Sequence, residues 1–471
     1  MRGILALALI LRLGVVGMVL ASYPRNWLFS KAPDLGFLAY SLSSGHGLSS
    51  PFGGSTGPTA FLAPGYPAVL GLVFYLFGSY NFASAAVMMT LHTMVAVMTV
   101  GVIMHLGLRL FDATTAKLAG VFWAVSLPLL WLPAVLWETS LSILLLTGMV
   151  ALALRCVDKG GPGLWAAVGA YCGLAMLVNP SLMLALLAIL GWTVYQTRTA
   201  SRYEPWMCLL VLLAVFAPWP IRNARVLHAF IPLRSNFGYE VWQGNHSGAT
   251  GVFDATLEPL QNKKEYAVYA REGEVVYMRN KAIVAETYIR AHRGEFIRLS
   301  AMRVVRFWMG AGSKVNSGPI EVHAAVTSLM GLLGLAALFR RSSAVAMLFL
   351  LPLVVFPLPY YITHPDFRFR LLLDPLLTIL SAHAAVRFNS FWSARHDQLH
   401  KVLSHRDAPV HVSRYRDAGY GGDAASVSSA PGEVCGVLSQ RGFPPLCAEA
   451  HTRLPGGPAV VSAGPDGVAA D

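Results

Sequence analysis

Charged residues are scarce in this sequence. Asp, Glu, Lys and Arg together make up 13% of its 471 residues, whereas an ordinary soluble protein has about 25%. Hydrophobic residues make up 55% of the chain, and the mean hydropathy is +0.54. This composition excludes a soluble globular protein and predicts an all-α polytopic membrane protein.

Cysteine and the usual metal or nucleotide motifs are also scarce. Of the five cysteines, Cys156, Cys172 and Cys208 lie in or beside apolar runs without metal-ligand spacing, so they are predicted to be small core residues. Cys435 and Cys447 lie in the C-terminal tail. The sequence contains no HExxH, CxxC, DxD or nucleotide-binding glycine loop. It therefore predicts neither a soluble nucleotide-sugar site nor a firm metal site or cofactor, and it leaves a divalent metal open.

Acidic residues are outnumbered by basic ones, 24 against 36, for a net charge of +12. The basic residues lie mostly between apolar segments and in the tail, where they set membrane topology. No nucleic-acid partner is implied.

About ten stretches are apolar enough to approach the roughly 20 residues of a transmembrane helix. The first has the basic start of a signal peptide but no convincing cleavage site, so we expect it to be a retained span. The stretches lie at 3–22, 83–106, 116–136, 140–154, 164–178, 182–195, 206–219, 322–338, 344–361 and 371–386.

The apolar segment between Pro67 and Gly78 has only about ten residues, which suits an interfacial or re-entrant helix better than a span. When it is omitted, the basic clusters all fall on one side of the membrane, which the positive-inside rule makes cytoplasmic. Both termini are then cytoplasmic. The outer side receives a first loop (23–82), a second segment (222–321) and short turns at 137–139, 179–180 and 363–370.

The second outer segment and the C-terminal tail have distinct patterns. Val276, Ile283, Ile289 and Phe296 recur among charges about two helical turns apart, which predicts amphipathic helices on the outer membrane surface. After residue 388 the sequence becomes rich in Gly, Ala, Ser, Pro, Arg and His, which predicts a disordered cytoplasmic tail at 389–471. Residues 1–388 are predicted to form one membrane-embedded domain.

The first outer loop contains the stretch KAPDLGFLAYSLSSGHGLSSPFGGSTGPTAFLAPGYPAVLGLVFYLFG, whose only acid is Asp34. So many Gly, Ser, Thr and Pro residues would not be tolerated in a span, so we expect an ordered polar loop. Because Asp34 follows Pro33, its carboxylate could simply satisfy free N–H groups at the start of a helix. Alternatively, it could act as a general base that takes a proton from an attacking hydroxyl or amine.

Other charged groups near membrane depth are costly and need an explanation. Arg368 and Arg370 stand on alternate positions in HPDFRFRLLLDP. They could extend to lipid headgroups, or they could hold an anionic phosphate. Arg222, next to Asn223, could join them.

The stretch RSNFGYEVWQGNHSGA supplies residue types that suit a sugar or acceptor, although a packed surface loop would use the same types. Asn245 also begins an N-glycosylation pattern. Glu138 could contact substrate or stabilise the start of a helix. The predicted sugar or acceptor contacts are Glu138, Tyr239, Glu240, Trp242, Asn245, His246, His364 and Asp366.

Taken together, four stretches carry a family resemblance. They are PDLGFLAYSLSSGHGLSSPFGGSTGPTAFLAPGYPAVLGLVFYLFG, MHLGLRLFD, PWPIRNARV with FIPLRSNFGYEVWQGNH, and HPDFRFRLLLDPLL. From about residue 2 to residue 387 the chain resembles bacterial integral-membrane glycosyltransferases of the C-type fold, relatives of the aminoarabinose transferase and the protein O-mannosyltransferases.

The resemblance implies transfer of a sugar from a polyprenyl-phosphate donor to an envelope lipid, polysaccharide or protein, with inversion, at the outer face of a bacterial inner membrane. It places Asp34 in the position of the catalytic acid of the first loop, and Arg368 or Arg370 near the leaving phosphate. Many relatives carry paired acids, or a Lys before a Pro pair later in the loop, and this chain has neither. A transporter or lipid flippase without covalent chemistry is the alternative, and a non-catalytic scaffold is a third.

Overall fold

A computed structural model of the protein describes residues 1–200, 203–310 and 318–406. Within these ranges the chain forms α-helices and no β-strand. The helices are α1 Arg2–Ser22, α2 Arg25–Leu28, α3 Pro33–Ser43, α4 Gly65–Phe77, α5 Phe82–Leu110, α6 Ala113–Val125, α7 Leu127–Trp131, α8 Thr139–Lys159, α9 Pro162–Val178, α10 Met183–Thr197, α11 Glu204–Phe216, α12 Pro218–Leu227, α13 Phe237–Gly244, α14 Lys263–Glu272, α15 Glu274–Ala291, α16 Arg293–Met309, α17 Gly318–Phe339, α18 Ser343–Val355, α19 Leu358–Ile362, α20 Phe367–Arg370 and α21 Asp374–Arg406.

Seven helical stretches in the described ranges are long and apolar enough to cross a membrane, and an eighth is formed if the bent pair of α6 and α7 counts as one span. The helices bend by 60° where α6 meets α7. The other two predicted spans are present as α9, a shorter apolar helix of 17 residues, and as the start of α21. These findings confirm the prediction of an all-α polytopic membrane protein. The short helix after Pro64 is also present, as α4 with 13 residues.

The segments predicted to lie outside the membrane meet at one end of the bundle. The Trp137 indole N–H donates to the Lys31 carbonyl at 3.0 Å, and the Ser235 backbone N–H donates to the Ala60 carbonyl at 3.0 Å. These contacts join the first loop to the turn before α8 and to the second segment. The side of the membrane on which this end lies stays a prediction.

The first loop is fastened to the second segment by a buried carboxylate. Glu274, at the start of α15, accepts hydrogen bonds from the Thr59 hydroxyl, from the Ala60 N–H at 2.7 Å and from the Tyr269 hydroxyl at 2.9 Å. Because Glu274 is only 4% exposed and three donors satisfy it, this contact fixes the loop with little freedom.

Arg222 belongs to the same fastening. Its guanidinium donates to the carbonyls of Thr59 and Leu48 at 2.7 and 2.9 Å, and it lies 5.5 Å from the Trp219 ring centroid. These contacts use the guanidinium to hold the loop. The structure therefore corrects the assignment of Arg222 to a phosphate site.

The amphipathic helices predicted in the second segment are present as α14, α15 and α16. On α15 the buried face consists of Glu274, Tyr277, Met278 and Ala285, whereas Val276 and Ile283 of the predicted stripe are exposed. The predicted domain boundary at residue 388 falls inside α21, which continues to Arg406. Met1–Val402 form one compact unit, and a second begins at Leu403. Residues 407–471, where most of the predicted disordered tail falls, lie outside the described residues.

Candidate functional site

Six charged side chains gather where the segments predicted to lie outside the membrane meet, and we call them the Asp34 cluster: Asp34, Glu138, Arg234, Glu240, Glu258 and Arg368. The charge of Asp34 interacts with those of Arg368, Glu138 and Arg234, and the charge of Glu258 with those of Asp34, Glu240 and Arg368. The members come from α3, the turn before α8, the loop before α13, α13 itself, the loop before α14, and α20. Thus residues more than 300 positions apart in sequence share one electrostatic site.

Asp34 is the second residue of α3 and is half-buried. Burial raises the pKa of its carboxyl group, and the Leu35 backbone N–H and Arg368 offset that rise only in part. The position at the helix start agrees with the capping interpretation, although Ala32 occupies the N-cap itself. A carboxylate with a raised pKa is also a stronger base, so both interpretations of Asp34 fit this geometry.

Arg368 is held by aromatic rings. Its guanidinium carbon lies 4.9 Å from the Trp137 ring centroid and 5.0 Å from that of Phe369, while its buried Nε has no hydrogen-bond partner. Burial tends to lower the pKa of Arg368, but four carboxylates together outweigh this and raise it, namely Asp366, Glu138, Asp34 and Glu240. Stacking on aromatic faces leaves the guanidinium N–H groups available for an anion.

Arg234 is a member of the cluster that the sequence analysis did not single out. Its Nε is buried without a hydrogen-bond partner, and its charge acts on Asp34 and on the Tyr360 hydroxyl. A single arginine in the loop stretch FIPLRSN looks like any surface residue. The charges of two guanidinium groups thus act on one carboxylate, and guanidinium groups are suited to holding a phosphate.

The other predicted contact residues near the cluster differ in their partners. Glu240 accepts a hydrogen bond from the Asn236 amide at 2.8 Å, and its second oxygen lies 2.7 Å from His364 Nε2. Glu138 is the N-cap residue of α8, but its side chain makes no capping hydrogen bond. Asp366 caps α20 by accepting from the Arg368 N–H at 2.9 Å. Their predicted roles in substrate binding stay predictions.

Three residues predicted to bind sugar are core residues instead. Tyr239, Trp242 and Asn245 are 1%, 7% and 1% exposed. The predicted loop is the helix α13, which packs on α15, and in a helix positions three apart share a face. Asn245 donates to the Val241 and Ile362 carbonyls, so its amide is not accessible for glycosylation either.

His246 lies just beyond that core. It is half-buried, its Nδ1 is 2.9 Å from the Ser247 carbonyl oxygen, and its ring centroid lies 6.2 Å from that of Trp242. Its predicted role in binding a sugar or acceptor stays a prediction.

Arg370 also differs from the prediction. It is fully buried, forms an ion pair with Asp374, and donates to the Thr327 and Ser328 hydroxyls at 2.6 and 3.0 Å. Residues two apart in a helix point in different directions, so Arg370 faces α17 while Arg368 faces the Asp34 cluster. Arg370 therefore stabilises the helix packing and is not a phosphate ligand.

We expect Asp374→Asn to lower the free energy of unfolding by about 3–5 kcal/mol, because it leaves the buried Arg370 charge unpaired. Denaturant unfolding of the purified protein in detergent would measure this. The matched control is Asp158→Asn, which breaks the ion pair between Arg109 and Asp158. Because the Asp158 side chain is 57% exposed, this variant should lose less than about 1 kcal/mol of unfolding free energy. Equal losses in the two variants would contradict the structural role of Asp374.

Glu258 is a second acid of the cluster with a raised pKa. Burial raises the pKa of its carboxyl group from 4.5 to about 7, and repulsion by Asp34 and Glu240 adds to this. Among the described residues, no group of three or more His, Cys, Asp or Glu side chains is arranged to hold a metal ion. A partly protonated Glu258 lowers the repulsion among the neighbouring carboxylates.

The raised pKa of Glu258 predicts a pH-dependent stability. The folded protein keeps a proton that the unfolded chain releases, so the stability of the wild type should fall as pH rises from 4.5 through about 7. The glutamine of Glu258→Gln cannot ionise. The thermal unfolding midpoint of this variant, relative to that of the wild type, should therefore rise as the pH increases over this range. Glu286→Gln, at a site where the side chain is 59% exposed, is the control. Parallel curves for Glu258→Gln and the wild type would refute the assignment.

The fold and this cluster define a polytopic helical membrane protein with a carboxylate, Asp34, and two guanidinium groups that bond to no described residue at one end. The sequence model of the family described as "Dolichyl-phosphate-mannose-protein mannosyltransferase" matches residues 62–221. This match confirms the resemblance to the protein O-mannosyltransferases, over about a third of the chain. No curated protein sequence matches.

Solved structures with a similar arrangement are distant in sequence. The Archaeoglobus fulgidus oligosaccharyltransferase with Zn and sulfate has 15% identity and a TM-score of 0.44, covering 85% of this chain and 51% of its own. The same organism's oligosaccharyltransferase AglB, with an inhibitory peptide and a dolichol-phosphate, has 14% identity and a TM-score of 0.45, covering 93% and 54%. ArnT from Cupriavidus metallidurans, bound to undecaprenyl phosphate, has 15% identity and a TM-score of 0.34, covering 80% and 77%. The chain thus spans about half the length of the oligosaccharyltransferases.

Proposed function

We propose that the protein is an inverting glycosyltransferase that moves a sugar from a polyprenyl-phosphate donor to an envelope acceptor, with Asp34 as general base. The observation that carries this proposal is that the guanidinium groups of Arg234 and Arg368 make no hydrogen bond or ion pair with a described residue, while the charges of both act on the Asp34 carboxylate. The family match at residues 62–221 supports the same class of reaction.

The proposed reaction needs a base and an anion site on opposite sides of the sugar. Asp34 takes the proton of the acceptor hydroxyl or amine while that group forms a bond to the anomeric carbon. The bond between this carbon and the phosphate oxygen breaks, and the electron pair leaves with the polyprenyl phosphate. Arg368 and Arg234 stabilise the added negative charge, a contribution that grows in a site shielded from water.

The position of the Asp34 cluster suits a lipid-linked donor and a polar acceptor. The cluster lies where α3, α20 and the turn before α8 meet, at the ends of apolar helices. A polyprenyl chain can therefore stay in the hydrocarbon layer while its phosphate reaches Arg368, and a polar acceptor can approach from water. This placement supports a reaction at the membrane surface, which we assign to the outer face of the inner membrane.

The direct test incubates the purified full-length protein with a panel of polyprenyl-phosphate sugars and a bacterial envelope extract. Release of polyprenyl phosphate, measured by mass spectrometry together with the glycosylated product, is the expected result. If no donor is consumed, but the protein moves labelled polyprenyl-phosphate sugars across vesicle membranes, the proposal fails and a flippase is indicated instead.

A further inference from the structure

A cleft of 360 Å³ lies between α2, α3 and the residues just before α5, and most of its wall is apolar. It is lined by Arg25, Asn26, Phe29, Ser30, Pro33, Phe37 and Tyr80. Asp34 is not one of the residues that line this cleft, and neither Arg25 nor Tyr80 belongs to the Asp34 cluster. The cleft is therefore separate from the site where Asp34 meets Arg368.

Two polar groups in this cleft lack partners. The Tyr80 hydroxyl is buried and makes no hydrogen bond. Arg25 is exposed and forms no ion pair with any described carboxylate. A buried hydroxyl without a partner costs free energy, and a hydrogen-bond acceptor that reached it would remove that cost. A hydroxyl and a guanidinium together match an anionic oxygen.

Tyr80 has a strained backbone conformation. Its φ of +53° lies in the left-handed region, which is rare for a bulky side chain and marks strain that the surroundings must support. The ring packs against Phe29 and Phe74, with centroid distances of 5.3 and 5.0 Å. A Cβ on Gly36 would lie 3.1 Å from the hydroxyl oxygen, so only glycine leaves the hydroxyl its full space.

The surroundings indicate a lipid. The cleft follows directly after the first apolar helix, α1. Tyr23 and Trp27 stack there at 3.9 Å, and Trp131 meets both rings edge-on at 6.2 and 6.4 Å. Such aromatic groups are enriched at membrane–water interfaces. Apolar side chains of Phe29 and Phe37 form the rest of the wall, as a glycerol or acyl chain would require.

We propose that this cleft binds the phosphate of an anionic phospholipid, with Arg25 and the Tyr80 hydroxyl as donors and with the acyl chains in the adjoining membrane. The proposal does not depend on the glycosyltransferase reaction, because neither residue belongs to the Asp34 cluster. An occupied cleft would also brace α3, the helix that carries Asp34.

The test measures lipid binding to the full-length protein in detergent by native mass spectrometry. The probes are phosphatidylglycerol, phosphatidylcholine and inorganic phosphate. We expect phosphatidylglycerol to bind more tightly than phosphatidylcholine. Arg25→Gln and Tyr80→Phe should each weaken its binding about tenfold, since each removes a hydrogen bond to a charged group.

Matched controls separate this site from general attraction to lipid. Arg271→Gln and Tyr75→Phe change two exposed residues outside the cleft. The Arg271 side chain is 74% exposed, and Tyr75 is 73% exposed. Both variants should bind phosphatidylglycerol like the wild type. Equal binding of the two phospholipids, or wild-type binding by both cleft variants, would overturn the proposal. Displacement of phosphatidylglycerol by inorganic phosphate at equal concentration would also overturn it, by indicating a site for a soluble anion. Because Arg25 is exposed, Arg25→Gln is expected to fold even if Tyr80→Phe does not.

Discussion

Replacing Asp34 with Asn should lower the rate of sugar transfer by about 10²–10⁴-fold, the usual contribution of a general base. The amide has nearly the shape of the carboxylate but cannot accept the proton of the attacking group. The measurement is the initial rate of polyprenyl-phosphate release by the purified protein. Donor binding should persist, because Arg368 and Arg234 remain.

The pH profile of the wild type gives this prediction a second readout. Asp34 must be ionised to act, and burial raises the pKa of its carboxyl group above the ordinary value of 3.8. Activity should therefore rise with pH and fall in acid at a pH higher than an exposed aspartate would give. Asp158→Asn, at the exposed Arg109 pair, is the control for folding and activity. A transfer rate near that of the wild type in Asp34→Asn would remove Asp34 as the base.

Replacing Arg368 with Gln should lower kcat by about 10²–10³-fold, because the guanidinium stabilises charge that develops as the phosphate leaves. Arg368→Lys should recover only part of the loss, since an ammonium group neither stacks on Trp137 in the same way nor donates in a planar fork. Steady-state kinetics with a saturating donor would separate kcat from KM.

Arg234→Gln tests whether the second guanidinium acts on the same phosphate. If it does, the two single losses should not add in the double variant, because both residues contact one group. Arg271→Gln, with its side chain 74% exposed on α14, should leave kcat unchanged. An unchanged kcat in Arg368→Gln would separate Arg368 from the chemistry, whatever the result for Arg234.

Sequence patterns were most informative where one residue type has a strong physical preference. Apolar stretches had to become spans, and the alternation of basic clusters placed the polar segments at one end of the bundle, where the structure brings them together. Asp34 and Arg368 stood out because charges are costly near a membrane. Arg370 was misassigned because both arginines of FRFR were given to one phosphate site, whereas α20 turns these alternate residues in different directions.

Long-range partners could not be obtained in this way. Arg234 and Glu258 look like ordinary loop residues until the fold places them beside Asp34. Likewise, Tyr239 and Trp242 have aromatic side chains of the kind that stack on sugars, and only the packing of α13 on α15 shows that they are buried.

The sequence alone determined that the chain is a helical membrane protein, which segments cross, and which polar loop holds an isolated acid, because hydrophobic transfer and charge desolvation act residue by residue. The tertiary structure decided which arginines keep their terminal N–H groups free. Those of Arg222 bond to the first loop and those of Arg370 bond to α17 and Asp374, whereas those of Arg368 and Arg234 bond to no described residue. That difference depends on the three-dimensional placement of carbonyls and carboxylates, which no local pattern encodes.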